Sequence, residues 1–116
     1  MVQVQRQYRL TRSTDFKRVR RDGKSYARPL VVLIAIENQL PISRVGVAAG
    51  RSVGNAVKRN RAKRLIRAAA RELHPQIVSG WDLVIIARAP IIQIKMPQVR
   101  TALQELLQRA KIFNDE

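Results

Sequence analysis

Residues 44–74 read RVGVAAGRSVGNAVKRNRAKRLIRAAARELH, and this segment is the most informative about the fold. Its small and β-branched beginning predicts a strand over residues 44–49. After a turn with two glycines, residues 55–74 contain neither Gly nor Pro and predict a helix. Asn55 is the expected N-cap of this helix, and Pro75 follows just beyond its end. A strand therefore leads directly into a long helix in the middle of the chain.

The predicted helix has a cationic side and an apolar side when its residues are placed at 100° intervals. The cationic arc holds Asn60, Lys63, Arg64, Arg67 and Arg71 with Arg59 and Arg61 on its flanks, and the apolar arc holds Ala62, Leu65, Ile66, Ala69 and Leu73. Seven basic residues and no acid lie between Lys58 and Arg71, although like charges at this spacing destabilise a free helix. We therefore expect the apolar side to pack on a sheet and the cationic side to bind an anionic partner.

The composition supports a polyanionic partner. The 116 residues contain 23 Lys and Arg against 8 Asp and Glu, a net charge of +15, and 18 of the 23 precede Trp81. No apolar run approaches the roughly 18 to 20 residues that span a bilayer, and the first residues lack the apolar core of a secretory signal. The absence of cysteine fits a reducing compartment. We expect a cytoplasmic protein that binds nucleic acid and no membrane.

The remaining elements follow from apolar patterning. We predict a first helix that has Ser13 or Thr14 as its N-cap and ends at Gly23. A short strand is predicted over residues 24–28, a central strand over 30–36, a loop over 37–43 and a further strand over 81–87. A last helix begins at Pro97, and its apolar stripe runs from Val99 to Phe113. The short loop predicts that the strand over 44–49 runs antiparallel to the one over 30–36.

This order of elements predicts an α+β fold, a two-layer sandwich of helices on a small mixed sheet. We expect one domain over residues 1–116, with flexible ends at 1–8 and 114–116. The turn from Gly50 to Asn55 has two interpretations: the first-turn N–H groups bind a phosphate, or the glycines are ordinary turn residues. It is not a P-loop, because the required order of Gly, Lys and Ser or Thr is absent.

Residues 44–67 closely resemble the signature of the bacterial ribonuclease P protein subunit, centred on the triplet Arg59-Asn60-Arg61. Phe16, Gly23, the strand from Asp82 and the Arg88-Ala-Pro90 sequence extend the resemblance over most of the chain. It implies a fold also seen in a ribosomal protein domain, with a left-handed β-α-β crossover through the basic helix, against the usual right-handed rule.

The resemblance also implies partners and a reaction. The partners would be the catalytic ribonuclease P RNA, bound by one monomeric protein per RNA, and precursor tRNA, whose 5′ leader would lie between the first helix and the sheet. The RNA would perform the Mg²⁺-dependent hydrolysis, so the protein would carry no catalytic residue, metal or cofactor. The implied contacts to the RNA are Arg51, Lys58, Arg59, Asn60, Arg61, Lys63, Arg64, Arg67 and Arg71. For the leader we expect contacts from Arg12, Phe16, Lys17, Arg20, Arg28 and Ile34.

Two positions of the implied leader site depart from the family. Arg20 and Ile34 stand where aromatic residues are common, which leaves Phe16, with Tyr26 as a substitute. We expect phosphate contacts to matter more than stacking there, because each stacked base contributes about 1 to 3 kcal/mol. Phe16 as plain core remains an alternative.

Three other functions compete with this interpretation. A ribosomal or ribosome-assembly protein would also be small, basic and free of cysteine. A self-sufficient nuclease would need clustered carboxylates or histidines, whereas the only histidine, His74, is expected at a helix end. A DNA-architectural protein fits poorly with a basic helix inside an α+β pattern.

Overall fold

A computed structural model describes residues 8–114. In this range the elements are α1 (Ser13–Asp22), β1 (Lys24–Ala27), β2 (Val31–Glu37), β3 (Arg44–Ala49), α2 (Ala56–Leu73), β4 (Trp81–Ala87) and α3 (Met96–Arg109), with 3-10 turns at Arg51–Val53, His74–Gln76 and Ala89–Gln93. The predicted α+β class is confirmed. Residues 1–7 and 115–116, on which most of the expected flexible ends fall, lie outside the described residues. No helix in the described part is long and apolar enough to cross a bilayer.

The strands form one mixed sheet in the order β1-β2-β4-β3. β4 is antiparallel to β2 and parallel to β3. The predicted opposite directions of β2 and β3 are confirmed, but the two are not neighbours, because β4 inserts between them. β4 is buried on both faces through Leu83, Val84 and Ile85, which is typical of an interior strand. α2 makes the crossover from β3 to β4, and its left-handed sense stays a prediction.

Two apolar clusters hold helices against opposite faces of the sheet. On one face, α2 and α3 bury residues such as Ile66 and Leu103 against Leu33 and Ile85. On the other face, α1 buries Val19 in a smaller cluster. The smaller cluster also contains Leu10, Ile34 and Val84, with Phe16, Val32, Ile36 and Ile86 packed against it. Leu10 therefore packs with Phe16 and Val19 beneath α1.

The predicted caps agree with the structure at α2 and disagree at α1. The Asn55 side chain accepts a hydrogen bond from the Lys58 backbone N–H at 3.0 Å, as expected of an N-cap. At α1 the prediction of Ser13 or Thr14 is wrong: the N-cap is Arg12, whose side chain makes no capping bond. The chain turns into the helix directly after Leu10 pairs with β3, so the helix begins before either hydroxyl can cap it.

The last helix is shorter than its apolar stripe indicates. α3 ends at Arg109, and Lys111 adopts a left-handed φ of 62° that turns the chain. Phe113 therefore lies outside the helix, where it pairs with Ile77 in an isolated antiparallel bridge. Apolar residues continue beyond the end of α3 because the chain after the turn is still packed on the core. Ile112, for example, is only 1% exposed.

Candidate nucleic-acid interface

The cationic side of α2 faces solvent, as its periodicity predicts. We call this surface the α2 ridge; it consists of Lys58, Arg59, Asn60, Arg61, Lys63, Arg64, Arg67 and Arg71. Arg59 and Lys63 are half-buried and the other six are exposed. The opposite side is anchored by Ala62, Ile66 and Leu73, all at most 2% exposed. Packing on β3 and α3 thus fixes the orientation of the ridge.

The α2 ridge is not neutralised by the described part of the protein. None of its seven cations forms an ion pair with a residue in the range 8–114. The single acid of the helix, Glu72, pairs with Arg100 of α3 at 3.0 Å. The ridge can therefore neutralise phosphates without first breaking internal ion pairs, which favours a polyanionic ligand.

The turn before α2 is shaped by one of its two glycines. Gly54 has a φ of 136°, and an added Cβ would lie 2.7 Å from the Lys58 side chain. Gly50 has an ordinary φ of −90° and open space around it. Arg51, which was predicted to bind RNA, is exposed in the 3-10 turn between them. Gly54 is therefore required by the turn itself, whereas Gly50 leaves the backbone accessible.

On the other face of the sheet, a buried carboxylate fastens α1 to the strands. Asp82 of β4 is fully buried and accepts hydrogen bonds from Arg44 Nε at 2.9 Å, Arg44 Nη2 at 2.8 Å and Asn38 Nδ2 at 2.9 Å. Arg18 of α1 also donates to it. Burial by itself would raise the pKa of Asp82, but the hydrogen bonds from Arg44, Asn38 and Arg18 outweigh it, so the pKa lies below its ordinary value.

The start of α1 is placed by Phe16, whose ring lies directly over Gly46 of β3. A Cβ on Gly46 would come within 2.6 Å of the ring. Phe16 is half-buried, so one part of the ring packs on the sheet and another remains accessible. The two interpretations of Phe16, core and stacking partner, are therefore compatible in this geometry.

Beside α1 the sheet leaves a row of apolar side chains half-exposed. Val32, Ile86 and Ala48 are register partners across β2, β4 and β3, and all three are half-buried. The adjacent row, Ile34 and Val84 with Gly46, is covered by α1. We call the half-exposed row together with the flank of α1 the sheet cleft. An apolar floor beside a cationic helix can hold a single nucleic-acid strand.

The structure brings only part of the predicted leader-binding set to the sheet cleft. Arg12, Lys17 and Arg20 are exposed residues of α1 or its cap, and Arg20 follows Phe16 by one helical turn. Ile34 is 8% exposed beneath α1, so it supports the helix and offers little surface. Arg28 is held away from the sheet cleft, because its guanidinium pairs with Glu105 of α3 at 2.6 Å.

Of two further residues, Tyr26 lies away from the role considered for it, whereas His74 lies where the sequence predicted it. Tyr26 pairs with Leu33 in the register and packs against the α2–α3 cluster, on the opposite face from Phe16. It is therefore not a substitute aromatic in the sheet cleft. His74 is the C-cap of α2, where its Nε2 lies 3.1 Å from the Ser43 carbonyl oxygen. This position agrees with the expected role at a helix end.

The sequence did not identify the three floor residues Val32, Ile86 and Ala48 as parts of a site. The alternation of β2 shows that Val32 and Ile34 share a face. Which of them is covered depends on where α1 crosses the sheet, and that is set by the contacts of Asp82 and Phe16. A strand pattern alone carries no signal for this distinction.

Comparison with known proteins decides the family. The family model described as Ribonuclease P matches residues 4–111. The chain belongs to the ribonuclease P protein family. The ribonuclease P protein component of Roseiflexus sp. strain RS-1 is 43% identical over 111 residues, which cover 95% of this chain and 91% of that protein.

Solved structures of the family share the fold. The RNase P protein of Thermotoga maritima aligns with a TM-score of 0.78 and 31% identity, covering 87% of this chain and 96% of that one. A Staphylococcus aureus RNase P protein mutant with defective mRNA degradation activity aligns with a TM-score of 0.82 and 30% identity, covering 92% and 91%. These similarities favour a ribonuclease P protein component over a ribosomal or ribosome-assembly protein.

Proposed function

We propose that this protein is the accessory subunit of a ribonuclease P in which an RNA performs the hydrolysis. The observation that carries the proposal is the α2 ridge, seven cations on one flank of a packed helix without an internal counter-charge in the described residues. The ridge binds the catalytic RNA, with Arg59, Asn60 and Arg61 at its centre. One monomeric protein binds one RNA in the cytoplasm.

The sheet cleft holds the 5′ leader of precursor tRNA. Its floor of Val32, Ile86 and Ala48 accepts the faces of unpaired bases, while Arg20 and Lys17 on α1 contact phosphates. A single accessible aromatic, Phe16, supplies the stacking contribution in this cleft. We therefore infer that the leader is bound mainly through its backbone, with little base preference.

The chemistry is assigned to the RNA because the chain offers little for metal-assisted hydrolysis. Within residues 8–114 no group of three or more His, Asp or Glu side chains lies close enough to hold a metal ion. Asp82 is engaged with Arg18 and Arg44. Phosphates of the RNA would instead hold the Mg²⁺ ions that activate the attacking water. The protein contributes positive charge that keeps RNA and leader together when Mg²⁺ is scarce.

The test is cleavage of precursor tRNA by a bacterial ribonuclease P RNA at low Mg²⁺, with RNA alone, protein alone and both together. We expect 5′-leader removal only when both are present. The protein-alone arm matters because mRNA degradation is named for a Staphylococcus aureus relative. Cleavage by the protein alone would assign chemistry to this chain. An unchanged RNA rate, despite tight RNA binding, would indicate a different RNA partner.

A further inference from the structure

A second basic depression lies at the free edge of β3, on the side of the sheet that packs against α2. Residues 9–11 run along this edge, where the Leu10 N–H donates to the Val45 carbonyl oxygen at 2.9 Å. The C-terminal half of α2 forms the opposite wall. Between them is a groove of about 370 Å³, which we call the edge groove. This volume is in the range of sites for small ligands, roughly 300 to 1,000 Å³.

The charged side chains that line the edge groove in the described part of the chain are all arginines. Arg9 lines it from the β3 side, and Arg67 and Arg71 line it from α2. All three are exposed, and no Asp or Glu is among the described residues that line it. Guanidinium groups bind phosphate oxygens through paired hydrogen bonds. An anionic ligand is therefore favoured over a neutral or cationic one.

The floor of the edge groove is apolar and has a polar rim. Val45 and Val47 supply the floor, and Phe16, which packs over Gly46 on the opposite face, reaches the groove at the edge of the sheet. An apolar floor of this kind suits the face of a nucleobase. Alternate residues of a strand direct their backbone groups to the same side. Because the Val45 carbonyl points to residues 9–11, the amide groups of Val47 point into the groove. They can hydrogen-bond the edge of a base that enters it.

We propose that the edge groove binds one unstacked nucleotide of the ribonuclease P RNA, with its phosphate on Arg67 and Arg71 and its base against Val45 and Val47. The groove is too small for a duplex. Arg67 and Arg71 also belong to the α2 ridge, so the same RNA can occupy both. The open row of the sheet cleft lies on the opposite face, and Phe16 borders both sites. This inference rests on the proposed function, because it takes the ribonuclease P RNA as the ligand.

The first test fills the groove without changing its charge. Thr11 lines the groove and is exposed, so Thr11→Trp blocks entry of a base while all the arginines remain. The control is Thr101→Trp, at a position on α3 that is also exposed. We expect Thr11→Trp to weaken binding of the ribonuclease P RNA about tenfold, since the base can no longer enter the groove, and Thr101→Trp to bind as the wild type. Equal affinities of the two variants would overturn the inference.

The second test identifies the ligand and does not depend on a bulky substitution. The chain has no cysteine, so Thr11→Cys can carry a single photoreactive label. In the holoenzyme with precursor tRNA, we expect the label to crosslink one unpaired nucleotide of the ribonuclease P RNA. Crosslinks to the leader, or diffuse crosslinks, would overturn the inference.

The proposed function is checked in the same samples by leader removal at saturating protein. If the wild-type protein restores cleavage but the crosslinks are diffuse, the edge groove fails and the proposed function stands. If the wild-type protein does not restore cleavage, both fail. Circular dichroism of both tryptophan variants establishes that a loss of affinity reflects the blocked groove and not an unfolded chain.

Discussion

Replacing Asp82 by Asn should destabilise the protein through one buried charge. The carboxylate is fully buried and holds Arg18 and Arg44 together, with four hydrogen bonds to donors. An amide of the same shape loses the charge and presents N–H groups to guanidinium donors. Removing one partner of a buried ion pair costs about 3 to 5 kcal/mol. Arg18 and Arg44 are 31% and 25% exposed and regain some hydration, so we expect about 3 kcal/mol.

For a chain of this length, that change lowers the melting temperature by about 10 °C. The measurement is thermal and guanidinium denaturation followed by circular dichroism at pH 7. The matched control is Asp22→Asn, which removes an exposed partner of Arg21 and should leave the midpoint unchanged. A loss under about 1 kcal/mol for Asp82→Asn would refute the claim that this carboxylate fastens α1 to the sheet.

The pH dependence provides a second check on Asp82. Its folded pKa is lowered, so the carboxylate contributes its full stability above its unfolded pKa of about 3.9. This contribution declines as the pH falls through that value and is lost below the folded pKa. The difference between wild type and Asp82→Asn should therefore be constant from about pH 5 to 8 and shrink below about pH 4. A difference that grows at acid pH would contradict the assignment.

Three further predictions address the turn, the ridge and the cleft. Gly54→Ala should lower the free energy of unfolding by about 1 to 2 kcal/mol because φ is positive, whereas Gly50→Ala should not; equal chemical denaturation midpoints would contradict this. Replacing Arg59, Asn60 and Arg61 together by Ala should weaken RNA binding and reduce the slope of log K against log salt concentration by about 2. Loss of the native circular dichroism spectrum would show a structural role instead. Single-base changes in the leader should alter its affinity less than tenfold in titrations, because the cleft offers one aromatic.

Local patterns were sufficient for most elements of the fold. Helical periodicity placed α2 and both of its faces, and the cap at Asn55 is confirmed because a cap depends on residues within one turn. The N-cap of α1 was predicted wrongly for a non-local reason: pairing of Leu10 with β3 brings the chain into the helix at Ser13, so that Arg12 is the N-cap. The end of α3 was missed because the left-handed turn at Lys111 leaves the apolar spacing unbroken.

In the candidate site, too, the residues set by local periodicity were predicted, and those placed by distant contacts were not. The cations of the α2 ridge were all named from the sequence, because the faces of a helix follow from its period of 3.6 residues. The placement of Arg28 and Tyr26 away from the sheet cleft was not foreseen, since it depends on the strand register and on Glu105. The edge groove was also not foreseen, because its walls come from segments almost 60 residues apart in the sequence.

The order of residues was thus enough to predict a basic α+β protein with one helix directed at a polyanion, and the motif from residue 44 to 67 indicated the family. Three features became visible only in the folded chain: β4 separates β2 from β3, α1 leaves Val32 and Ile86 open, and Arg67 faces a groove. The two groups of features differ in the sequence distance of the interactions that set them. Helix faces and caps are set by neighbours within a few residues, whereas strand order and cavities arise when distant segments compete to bury the same apolar surface.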